Sequence, residues 1–287
     1  MLAVIQWESF KFFKRPAVWV SIGILLVLAV GLGYALFYAI YTYSPPSSSA
    51  TLPKGVKLSD FKIQLYPSAF AQYTISFWDT LGGVFALILG VLSQGSEYGW
   101  GTTKTLYTQR PGRLALLAGK VVSLLLWVLL MVLLLFAVDA ISSVVVALID
   151  GKSLLFPEPI DIYKAIAGTW LIFGFSAIFG LTLATLFRQS AMAIGIGLAY
   201  SIVIEGIVFS IIGNLGGNTI KQVESWFPFA NVGYLSRSFG TSLPPALART
   251  VAKPIADANH AVLVLLVYSI VFLVLSAYLV RTRDVTN

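Results

Sequence analysis

The length of the apolar blocks constrains this chain more than any other feature. Six stretches, at about 17–43, 73–92, 114–138, 165–187, 191–212 and 261–280, run for some 20 residues or more with few or no charges. A helix rises about 1.5 Å per residue, so roughly 20 apolar residues cross a hydrocarbon core of about 30 Å. Only helices and closed barrels satisfy their backbone groups in lipid. Barrel strands alternate over about ten residues, and these blocks do not alternate. The expected fold is an all-α integral membrane protein, one transmembrane domain over 1–287 with six transmembrane helices. Composition agrees, with 58% hydrophobic and 11% charged residues, too few charges to cover a soluble surface.

The formal charge of +7 could point to nucleic acid. The basic residues flank the apolar blocks instead of lining one soluble face, so they read as topology signals and no nucleic-acid partner is expected. There is no cysteine, which excludes disulfides, thiolate metal sites and thiol catalysis. The first block follows Lys11, Lys14 and Arg15 but is too long for a signal h-region and meets no small-residue cleavage site, so it is expected to stay as a span. With the N-terminus in the cytoplasm, lysines and arginines divide ten inside to nine outside. The outer loops are about twice as long, so basic density favours cytoplasmic termini in a plasma (inner) membrane.

Residues 1–16 read as a helix, with Glu8, Lys11, Lys14 and Arg15 on one side and Ile5, Phe10, Phe12 and Phe13 broadly on the other. That pattern suits a helix lying in the interface; the alternative is a basic, aromatic flank that anchors the first span. Pro16 fits the first turn of that span. Residues 44–72, with Ser44-Pro45-Pro46-Ser47, read as exposed loop. Residues 213–260 contain Trp226-Phe227-Pro228-Phe229, so short helices at or partly within the outer interface are expected.

The connection between spans two and three holds Gly95, Glu97, Gly99, Gly101 and Thr102, then Arg110-Pro111-Gly112-Arg113, then Gly119-Lys120. It reads as a compact polar elbow between two membrane helices, able to pass force into both. The pattern of Glu, Gly and Thr, then Pro-x-Arg, then Gly-Lys opening an apolar helix resembles the permease subunits of type-2 ATP-binding-cassette (ABC) exporters. The six-span plan, the basic N-terminus and the long aromatic loop before span six are also similar. The layout covers the whole chain, while the motif covers about residues 94–120. By that resemblance the elbow is a coupling helix that docks on an ATPase, through Glu97, Gly101, Thr102, Arg110, Pro111, Arg113 and Lys120. The resemblance further implies two cytoplasmic ABC ATPase subunits that bind ATP and Mg, a second permease copy as a homodimer, and export of a lipid, peptide or antibiotic. Apart from the resemblance, a plain positive-inside loop would explain the arginines but not the Glu-Gly-Thr run.

The stretch Gly112 to Gly119-Lys120 is no phosphate loop, because the spacing is too long and Val121 stands where Ser or Thr should bind Mg²⁺. ATP hydrolysis is therefore expected in a partner, and no cofactor is expected in this chain. One histidine, no cysteine and no paired acid and base leave little for catalysis.

Three acids, Asp79, Asp139 and Glu205, fall in or near the spans, where a charge is costly and points to a cavity or partner. They are candidates for a translocation path, or for an ion-coupled carrier as the alternative function. Glu205 could equally fix helix packing. Small residues four apart, at Gly82/Ala86/Gly90, Ser176/Gly180/Ala184 and Ala191/Gly195/Ala199, favour close helix approach inside one bundle over a dimer seam. His260, alone at the edge of span six, reads as interfacial.

Overall fold

The computed structural model describes residues 2–44, 57–99, 112–208, 211, 222–240 and 256–283. Among them, six helices are long and apolar enough to cross a membrane, and the fold is all-α. Helix α1 (Leu2–Lys14) precedes the first of them. The six are α2 (Pro16–Tyr43), α3 (Phe70–Gly99), α4 (Arg113–Ile149), α5 (Pro159–Phe187), α6 (Ser190–Ile207) and α8 (Ala258–Thr282). Between the last two lies α7 (Pro228–Ser238).

Several helices outrun their hydrophobic blocks. Helix α4 has 37 residues, about 55 Å of rise, so Asp139 sits well inside it instead of at its outer end. Helix α3 continues through Gly95 and Glu97 to Gly99, so those residues do not end the helix as their glycines imply. A glycine is tolerated in a helix where packing requires it, and here Ser190 approaches Gly95 so closely that a methyl would meet its hydroxyl. Residues 44–72 are not all loop: Leu58–Leu65 form a 3-10 helix with Leu65 buried. The Pro- and Ser-rich stretch 45–56 lies outside the described residues.

The core pair is α3 against α5. Gly90 faces the Ala177 carbonyl and Gly180 faces the Leu87 carbonyl, each so closely that a Cβ would collide with backbone. The two small-residue stripes therefore face each other, and their function is contact within the bundle. The third stripe is different. Ala191, Gly195 and Ala199 are exposed, whereas Ala193 and Gly197, two residues along, carry the contact with Leu87 and Leu183. Polar contacts add to the packing: Ser276 and Thr182 hydroxyls meet at 3.0 Å between α8 and α5.

Helix α2 is π-helical over Ala29–Leu36. The wider turn frees backbone acceptors, and Tyr73 Oη donates to the Gly33 carbonyl at 2.5 Å.

Candidate functional site

Arg15, Arg113, Arg188, Arg281 and Arg283 gather at one end of the bundle, and several of them bind backbone carbonyls there. The last turn of a helix leaves carbonyls without intrahelical partners, and a cation is favoured beside them. Arg15 reaches from the α1–α2 junction to the Leu92 carbonyl of α3 at 2.9 Å. Arg113, at the start of α4, donates to the carbonyls of Val280 (3.5 Å) and Arg283 (3.2 Å) at the end of α8. Arg283 in turn donates to the Leu186 carbonyl of α5 at 2.7 Å. Arg188 ends α5 in the left-handed region with φ 53°. Three arginines thus tie neighbouring helices directly to one another at this end of the bundle.

Beneath this ring lies a buried ionic cluster. Glu97 near the end of α3 and Lys120 near the start of α4 form a direct salt bridge, and both are buried. Lys120 Nζ also donates to Gln94 Oε1 at 2.8 Å. Lys11 of α1 bridges Glu97 (3.1 Å) and the buried Glu8 (2.7 Å). The buried Glu8, Glu97 and Lys120 are thus paired with one another and with the partly exposed Lys11, as buried charges must be. Burial pulls the Arg15 guanidinium below its ordinary pKa, with Glu97 and Glu8 pulling it back up.

Around the cluster, α1 lies along the first turns of α4. Ser123 Oγ donates to the Ile5 carbonyl at 2.9 Å and meets Ser9 Oγ at 3.1 Å, and Val4 covers Gly119. The faces of α1 differ from those the sequence implies. Glu8 points inward together with Phe12, while Trp7, Phe10 and Phe13 are more than half exposed. The reason is the cluster: Lys120 needs acid beneath the surface, and α1 brings Glu8 there.

The seven elbow residues fare differently. Glu97 and Lys120 are turned inward on each other, and Arg113 is bound to the end of α8. Gly101, Thr102, Arg110 and Pro111 lie outside the described residues, as does any helix within 100–111. What the described part provides is a clamped base, holding α1, α3 and α4 together immediately before and after that segment.

The intramembrane acids divide into two kinds. Glu205 Oε2 accepts the backbone amides of Phe229 (2.7 Å) and Ala230 (3.1 Å), the free donors at the N-terminus of α7. Asp79 Oδ2 accepts from Ser236 Oγ at 2.7 Å, toward the other end of α7. The two acids hold one short helix from both ends, and Asn231, Val232, Leu235 and Ser236 on its inner face are buried. Helix α7 is thus packed into the bundle, against α3, α5, α6 and α8. Asp139 is separate: fully buried, it accepts from Thr74 Oγ1 at 2.7 Å across α3 and α4. His260 turns its ring to the Ser225 carbonyl at 2.9 Å and to Trp226.

A third acid site escaped the sequence reading. Asp150, just past α4, accepts from Tyr38 Oη and Tyr66 Oη, both at 2.9 Å, and pairs with Lys62 at 3.2 Å. It ties α2, the 58–65 segment and α4 together. No local motif marks it, because its partners lie 84–112 positions away.

Residues 67–286 match the family described as "Protein of unknown function (DUF2705)". The chain belongs to that family. The match runs from just before α3 to beyond α8 and leaves out α1 and α2. The chain is also similar to "Uncharacterized protein YhcI" of Bacillus subtilis (strain 168), at 24% identity over 331 aligned positions that cover 100% of both proteins. Neither description names an activity.

Proposed function

We propose that this chain is the permease subunit of an ABC exporter. It forms the translocation path for a hydrophobic or amphipathic cargo, and a separate ATPase pair binds ATP and Mg. A second copy of the chain completes the path as a homodimer, and the chain hydrolyses no ATP itself.

The observation that carries this reading is the clamp of Glu97, Lys120, Lys11 and Glu8. A segment that takes force from a partner is useful only if its base is stiff. Here the chain enters 100–111 from α3 and leaves it into α4, and both helices are joined to α1 by buried charge at that point. Force applied to the segment would move the three helices as a unit. Glu97 and Lys120 act in this scheme as the anchor, while the motif residues Gly101, Thr102, Arg110 and Pro111 supply the docking surface. The arginine-rich end is then cytoplasmic by the positive-inside rule. The exposed Trp7, Phe10 and Phe13 support an interfacial position for α1 in this scheme, since aromatic side chains are favoured there.

The test is affinity purification of the intact chain from its host in mild detergent, with mass spectrometry of stoichiometric partners. An ATPase bearing a phosphate loop is expected, and Arg110→Ala is expected to release it while the permease stays folded. Recovery of the folded chain without any such ATPase, from membranes where the complex is preserved, would overturn the proposal. Asp139 favours the second reading, an ion-coupled carrier: flux driven by a proton or sodium gradient without ATP would establish it.

A further inference from the structure

Arg15, Arg113 and Arg283 each donate to a backbone carbonyl of a neighbouring helix, and Arg281 stands at the same end of the bundle. Arg281, in the last turn of α8, has no hydrogen-bond or ion-pair partner among the described residues. It lines an open cavity of about 310 Å³ together with Gly112, Arg113, Leu114 and Ala115 at the start of α4. No acid among the described residues lines that cavity. Arg113 is held in place there by its bonds to the Val280 and Arg283 carbonyls, so one guanidinium is already fixed in position. The amides of the first turn of α4 add partial positive charge to the same space.

We propose that this cavity binds the phosphate headgroup of an anionic glycerophospholipid. Two guanidinium groups, one fixed and one available, suit a phosphodiester, whose oxygens accept forked N–H donors. A lipid fits better than a free phosphate because the cavity has an apolar flank. Leu114 is 47% exposed, and Tyr278, one turn before Arg281, is 63% exposed. An acyl chain running down that flank keeps the phosphate at the level of the arginines, at the end of two membrane helices where headgroups lie. Basic pockets between transmembrane helices bind lipid headgroups elsewhere by the same chemistry. The proposal is independent of the transport reading, since neither ATP nor an ATPase enters it.

The test is native mass spectrometry of the full-length chain released from nanodiscs of mixed phosphatidylglycerol and phosphatidylcholine. Phosphatidylglycerol is expected to be retained over phosphatidylcholine. Arg281→Gln, at an exposed position, is expected to cut that preference by about fivefold, whereas Lys164→Gln, at a distant exposed lysine, leaves it unchanged. An unchanged preference in Arg281→Gln would overturn the site. Millimolar inorganic phosphate displacing phosphatidylglycerol as readily as added phosphatidylglycerol would overturn the lipid assignment in favour of a free anion. A thermal melt run alongside confirms that the variant is folded, and Arg281→Lys is expected to restore part of the preference.

Discussion

Replacing Glu97 by Gln is expected to destabilise the arginine-rich end of the bundle by about 3–5 kcal/mol, the cost of leaving a buried charge without its counter-ion. Glu97 is 3% exposed and Lys120 is 4% exposed, so water cannot take over the lost contact. The wild-type cluster holds two acids and two lysines. Removing one acid leaves Lys120 with neutral amide acceptors in place of a carboxylate, and leaves Lys11 with Glu8. The double variant Glu97→Gln/Lys120→Met removes one charge of each sign, so the cluster keeps its wild-type net charge and Glu8 and Lys11 still pair. It should therefore recover well over half of the loss, giving a coupling of about 2 kcal/mol or more. In a melt followed by tryptophan fluorescence in detergent, the single variant should fall by roughly 10 °C, by the scaling for domains of about this size. A single variant that melts with the wild type, or a double variant that loses the sum of both singles, would refute the buried-pair argument.

Other substitutions test other parts of the fold. Gly90→Ala places a methyl against the Ala177 carbonyl. It should cost about 1–3 kcal/mol, as overpacking does, whereas Gly23→Ala, with open space around it, should be neutral in the same melt. Glu205→Gln weakens a charged cap of α7, by about 1–2 kcal/mol for a charge-assisted contact, and should speed amide exchange across 228–238 while the six long helices stay protected. Asp150 should give an acid-sensitive contact. Burial raises its pKa, but the hydrogen bonds from Tyr66, Tyr38 and Lys62 outweigh that and hold it below the usual carboxylate range. Its stabilisation is then complete above the ordinary carboxylate pKa and lost as pH falls through the lowered one. Asp150→Asn should remove that part of the acid dependence of melting. Tyr66, pushed up to about 12 by burial and by Asp150, stays protonated throughout and remains a donor.

Much of the fold was legible because the signals are local. Apolar blocks of the right length mark spans, and Arg15-Pro16 marks the break between α1 and α2. The facing stripes at Gly90 and Gly180 were visible as small-residue spacing. Helix ends were less legible, since Ser93 to Gly99 looks polar and glycine-rich yet continues α3. Tertiary contact overrides that weak local preference by giving Glu97 and Gln94 a buried partner in Lys120. The buried face of α1 is not legible for the same reason, because amphipathic spacing shows that two faces exist and not which one meets protein. Glu205 left two readings open, and only the approach of Phe229 and Ala230 assigns it to a helix N-terminus.

The sequence by itself determined that this chain is a multi-span helical membrane protein, because bilayer thickness and backbone hydrogen bonding leave an apolar chain no other form. Only the tertiary structure decided what each charge does. The partners of Glu97, Arg113, Glu205 and Asp150 lie 23 to 170 positions distant along the chain. A side chain's electrostatic partner is set by which helices pack together, and no local pattern encodes that.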